Sequence, residues 1–291
     1  MSAPIRALAA ALGLAPIARR PDRGGQPRGE RAAGRVGAYQ VFVGAERPST
    51  TQLPVRVVAA QPRDLGLDVL TQLTGAPFRH RLLVEVDGLW LRGEGSRPRA
   101  TALLAGGPGD RMRGLAHLQL EVDDRGVTAQ LPIDDPLAEL LAGVDRVIAL
   151  AALLDDAAAR VPVAAALAWV APRFVAAAAA LGLRYTPCGL GLSGVLDGCR
   201  VTTSLGADGG TTVASFHVEL ARPLGRAPAV HELAIDRRLG RVSVSDDQVV
   251  VAVALRRRGL PELTDVLGHA HALAHRLGGP PPAPVPTSPF R

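Results

Sequence analysis

The 291-residue chain contains no lysine and no asparagine, and every one of its 33 basic residues is arginine. Both missing residues use A-rich codons, whereas the plentiful Ala, Gly, Pro and Arg use GC-rich ones. The simplest reading is a genome of high GC content. The net charge of +6 and pI of 10.6 are then weak evidence for a nucleic-acid partner. Aromatic residues make up only 3%. That leaves few rings to stack on bases and a core to be built from Ala, Val and Leu. Two cysteines, Cys188 and Cys199, are too few for a disulfide scaffold. In the hairpin expected at Asp197-Gly198, Cys199 faces Leu196 and Cys188 lies beyond the paired ends. A disulfide is not expected, and a reducing, cytoplasmic location is.

The chain instead contains itself twice, and a repeat of this kind determines how everything else is read. Leu12-Gly13-Leu14 matches Leu181-Gly182-Leu183 at an offset of 169 residues, and Gly34 and Val41 match Gly194 and Val201 at 160. Thr50-Thr51 and Val57 match Thr211-Thr212 and Val218 at 161. From Asp123-Asp124 and Asp246-Asp247 through Leu154 and Leu277 the offset is 123 throughout. The fall from 161 to 123 gives the first copy about 38 extra residues between 58 and 122. The expected division is repeat one over 1–156, repeat two over 157–278 and a disordered Pro-rich tail over 279–291.

Periodicity and punctuation give each copy the same plan. Pro4 and Gly13, like Pro172 and Gly182, bracket a short helix, with proline in the first turn and glycine past the last. Strands are expected at 39–43, 53–58, 82–86, 89–91, 118–122 and 127–131, and in copy two at 190–196, 199–205, 212–220, 230–235, 242–244 and 249–255. Asp87-Gly88 marks a second hairpin. Residues 15–33, rich in Arg, Gly and Pro, read as a flexible loop. Leu137, Leu140, Leu141, Val144, Val147 and Ile148 recur at helical spacing, as do Leu260, Leu263, Val266, Leu267 and Leu273. The fold class is therefore α+β: two tandem repeats, each a short helix, an antiparallel sheet and a long C-terminal helix. A poor signal peptide could be read into the apolar start, but the run recurs inside the chain, so it reads as a structural helix. The stretch 161–183 approaches the length of a membrane span, but Pro172 and Arg173 near its middle argue for two helices instead.

Motifs for catalysis are thin. Gly189 to Gly194 spells G-x-G-x-x-G, but it follows a helix and opens a strand, the reverse of a dinucleotide site. Ser193 lacks the glycine two residues later that a nucleophile elbow needs. His271 and His275 share a helix face near His269, without the third and fourth ligands of a metal centre. Asp123-Asp124 and Asp246-Asp247 read as turn formers rather than acid–base pairs. Arg19, Arg20, Arg23, Arg28 and Arg31, and Arg256-Arg257-Arg258, read as solvated charge ahead of phosphate contacts. No cofactor, metal or catalytic residue is implied.

An Ala-rich helix ending in Leu-Gly-Leu before a glycine-punctuated strand resembles uncharacterised proteins of high-GC bacteria. That resemblance implies no activity. The function expected from the residues is a non-catalytic, soluble binding or scaffold protein, a fused pseudo-dimer whose partner is a protein or an apolar small ligand. The alternative is a nucleic-acid-binding protein that uses Arg-rich sheet edges. Arginines gathered on one sheet face would favour nucleic acid, and an apolar cavity under the long helices would favour a ligand. What differs between the copies is the expected seat of a specific task. Within the extra segment, Phe78, His80 and Trp90 are the expected recognition surface, since aromatic anchors dominate interfaces. Against this stands a plain edge hairpin that covers the sheet.

Overall fold

The computed structural model describes residues 3–17, 31–44, 51–59, 63–72, 83–93, 95–208, 211–222, 224 and 240–279. It is a mixed α+β structure of two compact units, Met1–Pro162 and Val163–Arg291. The strand expected at 230–235, the Pro-rich stretch from 280, and Phe78 and His80 all lie outside the described residues.

In the first unit helix α1 (Ala3–Ala11) leads into strands β1 (Ala15–Pro16), β2 (Arg31–Val36), β3 (Tyr39–Gly44) and β4 (Gln52–Val58). Strands β5 (Leu67–Leu70), β6 (Leu83–Val86) and β7 (Leu89–Gly93) follow, then helices α2 (Arg97–Leu104) and α3 (Pro108–Gly114). The unit closes with β8 (Glu121–Asp123), β9 (Gly126–Pro132) and the long helix α4 (Leu137–Ala158). The second unit runs α5 (Ala171–Leu181), β10 (Arg184–Thr186), β11 (Gly191–Leu196), β12 (Cys199–Asp208), β13 (Thr211–Glu219), β14 (Arg241–Val244), β15 (Gln248–Ala254) and α6 (Leu263–Gly278).

Both sheets are antiparallel. The nine-stranded one has the order β1-β2-β3-β4-β9-β8-β5-β7-β6, and the six-stranded one β10-β11-β12-β13-β15-β14. Alternation along each strand decides which face is covered. In the first unit Val41, Val43, Leu53, Val55, Val57, Val127, Ala129 and Leu131 are buried beneath α1 and α4. Their neighbours Phe42, Gln52, Pro54, Arg56, Thr128 and Gln130 are half-buried on the opposite, helix-free face. The second unit repeats the pattern. Val201, Phe216, Val218, Val249, Val251 and Val253 pack with Phe174, Val266, Leu267 and Leu273 in one cluster. The rings of Phe174 and Phe216 stack 6.1 Å apart, a large share of a core that has few aromatics.

The first six strands of the larger sheet follow the order of the smaller one, and the pairing registers coincide. Ala15 pairs with Ala33 as Arg184 does with Ser193, and Gly34 with Val41 as Gly194 does with Val201. Val57 bridges Val41 and Val127 as Val218 bridges Val201 and Val249. Loop hydrogen bonds correspond as well: Ala59 N to Arg125 O and Leu220 N to Asp247 O, Ile133 N to Thr51 O and Leu255 N to Thr212 O. At Gly34 an added Cβ would come within 3.0 Å of Leu14 Cδ2, and at Gly194 within 2.9 Å of Leu183 Cδ2. The chain leaving the short helix lies against the strand at both positions, so any side chain there must displace Leu14 or Leu183.

Several expectations need correction. An unbroken offset of 123 from Asp123 to Leu154 is expected; in the closing helices the buried Leu140, Val144, Val147 and Leu150 do stand 123 residues before the buried Leu263, Leu267, Ala270 and Leu273. In the strands it is 122, because Val127 corresponds to Val249 by pairing. Val250, its match by identity, points to the opposite face. Residues 15–33 are not all loop, since Ala15–Pro16 and Arg31–Val36 are strands. The strand expected at 118–122 begins only at Glu121, after a 3-10 turn over Ala116–Leu118. The extra segment is more than an edge hairpin: β5, β7 and β6 extend the sheet, and α2 and α3 pack on α4. Asp87-Gly88 and Asp197-Gly198 do form two-residue hairpin turns, all four residues having positive φ as the type I′ turn requires.

Candidate functional site

Four strands of the first unit shape a cavity of about 680 Å³ on the helix-free face. Arg31 of β2, Phe42, Val43 and Gly44 of β3, Gln52, Pro54 and Arg56 of β4, and Thr128 and Gln130 of β9 line it. Cross-strand pairing places the outward side chains of this set together. Phe42 is opposite Arg56, Arg56 opposite Thr128, and Pro54 opposite Gln130. The size falls within the range of small-ligand pockets. Phe42 and Pro54 supply apolar surface, while Gln52, Gln130 and Thr128 supply neutral donors and acceptors.

The Asp-Asp turn holds the cavity's rim. Arg56 donates to both Asp123 carboxylate oxygens at 3.0 and 2.7 Å and to Thr128 Oγ1 at 3.1 Å. Asp123 also accepts from the backbone N–H groups of Arg125 and Gly126. Asp124 accepts from Leu65 N at 2.5 Å and Gly66 N at 3.1 Å, which ties the extra segment to the turn. The Asp123 carboxylate thus closes its own turn, the arrangement in which Asp is commonest, while the Asp124 carboxylate holds the connection to β5.

Behind the turn, Arg63 is fully buried. Its Nη1 donates to the carbonyls of Asp123 and Gly126 and its Nη2 to Asp155 Oδ1 on α4 at 3.1 Å. Burial, and then the neighbouring Asp155, push the phenol of Tyr39 far above its usual range, so Tyr39 stays protonated and bonds to that carboxylate. A cluster of charged and polar groups from β3, the β4–β5 connection and α4 therefore fixes the geometry under the cavity's edge.

Trp90 lies on the same helix-free face. Pairing runs from Phe42 through Arg56, Thr128, Glu121 and Leu70 to Trp90 and Glu85, one unbroken row across seven strands. Three strand spacings separate Trp90 from Thr128, roughly 14 Å. Trp90 is half-buried, while Leu89 and Leu91 on either side of it are in the core. Two arginines of this face are paired with acids: Arg56 with Asp123, and Arg92 with Asp68 and Glu121 at 2.8 and 2.7 Å. Such pairing opposes use of the face as a phosphate-binding surface.

The remaining sequence candidates are scattered. His271 and His275 have ring centroids 6.3 Å apart, and His271 Nε2 is 4.0 Å from Asp197. Among the described residues no group of three or more His, Cys, Asp or Glu could hold a metal ion. Gly189–Gly194 forms the end of a 3-10 turn and the start of β11, as its order in the sequence implies. Cys188 and Cys199 are buried and not bonded to one another. Arg256, Arg257 and Arg258 are exposed ahead of α6. Among the described residues no helix is long and apolar enough to cross a membrane.

Sequence reasoning missed one cluster. On the helix-free face of the second sheet, Ser204 Oγ lies 2.9 Å from His217 Nε2, and His217 Nδ1 lies 3.2 Å from Gln248 Oε1. Burial holds the His217 pKa below its ordinary value, partly offset by the bond to Gln248. The signal was present in the outward alternation of Thr202-Thr203-Ser204 and Phe216-His217-Val218, but it needed the strand registers to be read.

No family model matches the chain, and no curated protein matches it. Among solved structures it is similar to the crystal structure of the mycobacterial trehalose monomycolate transport factor A, TtfA. That match has 11% sequence identity over 56% of this chain and 98% of the other, with a TM-score of 0.38, a likeness too slight to carry an argument about function.

Proposed function

We propose that the chain is a binding protein built as a fused pseudo-dimer, one helix–sheet–helix scaffold written twice. The helix-free face of the first sheet is its recognition surface. The shared strand order, pairing registers and loop hydrogen bonds of the two units support the duplication. The expected boundary between repeats at 156/157 lies close to the change of compact unit after Pro162. The observation that carries the binding reading is the cavity of about 680 Å³. Its ligand is a small amphiphile: the apolar part rests on Phe42 and Pro54, and polar atoms meet Gln52, Gln130 and Thr128. The cavity lies opposite the long helices rather than beneath them, so the ligand is held by an exposed sheet face and not swallowed by the core. Trp90, in the same cross-strand row, extends the surface toward a larger partner. Both thiols being reduced and buried, the cytoplasm is the compartment this reading implies.

Titration with 8-anilinonaphthalene-1-sulfonate, an amphiphile of suitable size, tests the reading. The folded protein should enhance its fluorescence at a single saturable site, and Gln130→Trp, which fills the cavity from β9, should abolish the enhancement while leaving the melting temperature within a few degrees. Equal enhancement in both proteins would reject the cavity as the site.

A further inference from the structure

The two sheets present the same row of positions with different chemistry. Pairing makes Thr202, His217, Val250 and Ser243 a row in the second unit, where the first has Phe42, Arg56, Thr128 and Glu121. The cavity-forming groups are replaced there by a histidine between a hydroxyl and an amide. The Gln248 carbonyl oxygen can only accept a hydrogen bond, so His217 Nδ1 carries the proton and Nε2 turns its lone pair to Ser204. Ser204 Oγ–H then donates to Nε2. That is the sequence of nucleophile, base and orienting group by which a hydroxyl is activated. The half-buried imidazole, its pKa lowered by desolvation, stays neutral near pH 7, the form a base requires. The positions nearest Ser204 on this face, Thr202 on its own strand and Ser215 directly opposite, are small, and Val250 stands opposite His217.

We propose that Ser204 is an acyl-accepting nucleophile, with His217 as its general base and Gln248 as a positioning residue, and that it takes small activated esters or thioesters. As the bond from Ser204 Oγ to the acyl carbon forms, the Oγ proton passes to His217 Nε2. The bond from that carbon to the leaving oxygen or sulfur breaks, and His217 returns the proton to the leaving group. Water then attacks the acyl-serine and gives a proton to His217, which hands it to Ser204 Oγ as the carboxylic acid departs. The peptide N–H groups of β12 and β13 along this row are spent on the sheet ladder, so they offer no oxyanion hole, and such a donor is typically worth about 100- to 1,000-fold in rate. Both steps lack that donor and are slow, but an activated leaving group makes acylation the faster of the two, so the acyl-serine accumulates.

The test uses the full chain and p-nitrophenyl acetate, followed by p-nitrophenolate release and by mass spectrometry of proteolytic peptides. A burst near one equivalent and an acetyl group on Ser204 are expected, both lost in Ser204→Ala. His217→Gln should slow the burst by about 100-fold or more. Gln248→Leu should slow it, and Gln248→Glu, whose carboxylate also accepts from Nδ1–H, should restore it, a difference that a merely structural role would not produce. Acetylation elsewhere but not at Ser204 in the unaltered protein overturns the proposal, whatever the variants do. So does Ser204 acetylation at an unchanged rate in a folded His217→Gln protein.

Discussion

Replacing Arg63 with Met should unfold the first unit more readily than any other single change to a charged residue described here. The guanidinium is wholly buried and donates hydrogen bonds at 3.1 Å to Asp123 O, 3.4 Å to Gly126 O and 3.1 Å to Asp155 Oδ1. Bonds to charged groups contribute about 1.5–3 kcal/mol each. Against them stands the cost of desolvating the guanidinium, itself several kcal/mol. Truncation removes these bonds and takes the Arg63 cation away from Asp155, whose side chain is only 13% exposed. Breaking a buried pair on one side costs about 3–5 kcal/mol. With a urea slope of about 2 kcal/mol per molar, the midpoint should fall by about 1.5–2.5 M. Trp90 lies in the first unit and Trp169 in the second, so fluorescence in a Trp169→Phe background reports the right transition. Removing both partners, Arg63→Met with Asp155→Leu, should recover most of the loss, because an apolar replacement of a buried pair is close to neutral. A midpoint shift below about 0.5 M, or a double variant no better than the single, would refute the reasoning.

Gly34→Ala and Gly194→Ala should each destabilise by about 1–3 kcal/mol, from crowding against Leu14 and Leu183. Gly194, whose φ is +156°, should suffer more, and calorimetry would show the order. His217 titrates below its ordinary value of 6.5 in the folded protein, so the unfolded chain binds the extra proton first. Stability of the second unit should therefore be full above pH 6.5 and decline as the pH falls below it, and His217→Gln should flatten that decline in denaturation midpoints measured across pH 5–8. DNA binding should be weak, steeply salt-dependent and indifferent to sequence, and nanomolar affinity for one sequence at physiological salt in a mobility-shift assay would contradict this.

The elements that were legible in the sequence are those whose signals are local. Asp87-Gly88 and Asp197-Gly198 announce hairpins because both central residues must take positive φ, and Gly182 ends α5 in the left-handed conformation for the same reason. The strand at 31–36 stayed hidden because Arg-Ala-Ala-Gly-Arg-Val has one β-branched residue, and its place is set by pairing with Tyr39–Gly44. The register slip between strands and helices was invisible because Val249-Val250-Val251 offers a match at every step. The turn at Asp123-Asp124 is legible because Asp123 caps it through Arg125 N and Gly126 N, but the reach of Asp124 to Leu65 and the support of Arg63 from behind carry no motif. The cavity could not be read at all: Phe42, Arg56 and Thr128 meet only through three strand pairings. Trp90 stands out in the sequence as an aromatic of the extra segment, and its place on the cavity's face comes from the strand pairing, whereas Phe78 and His80 lie outside the described residues.

The most direct measurement is the structure of crystals soaked with 8-anilinonaphthalene-1-sulfonate. If the helix-free face of the first sheet is the recognition surface, the naphthalene ring lies against Phe42 and Pro54, with its polar atoms near Gln52, Gln130 and Thr128. Ring density found only beneath α4, or only on the second unit, would contradict it.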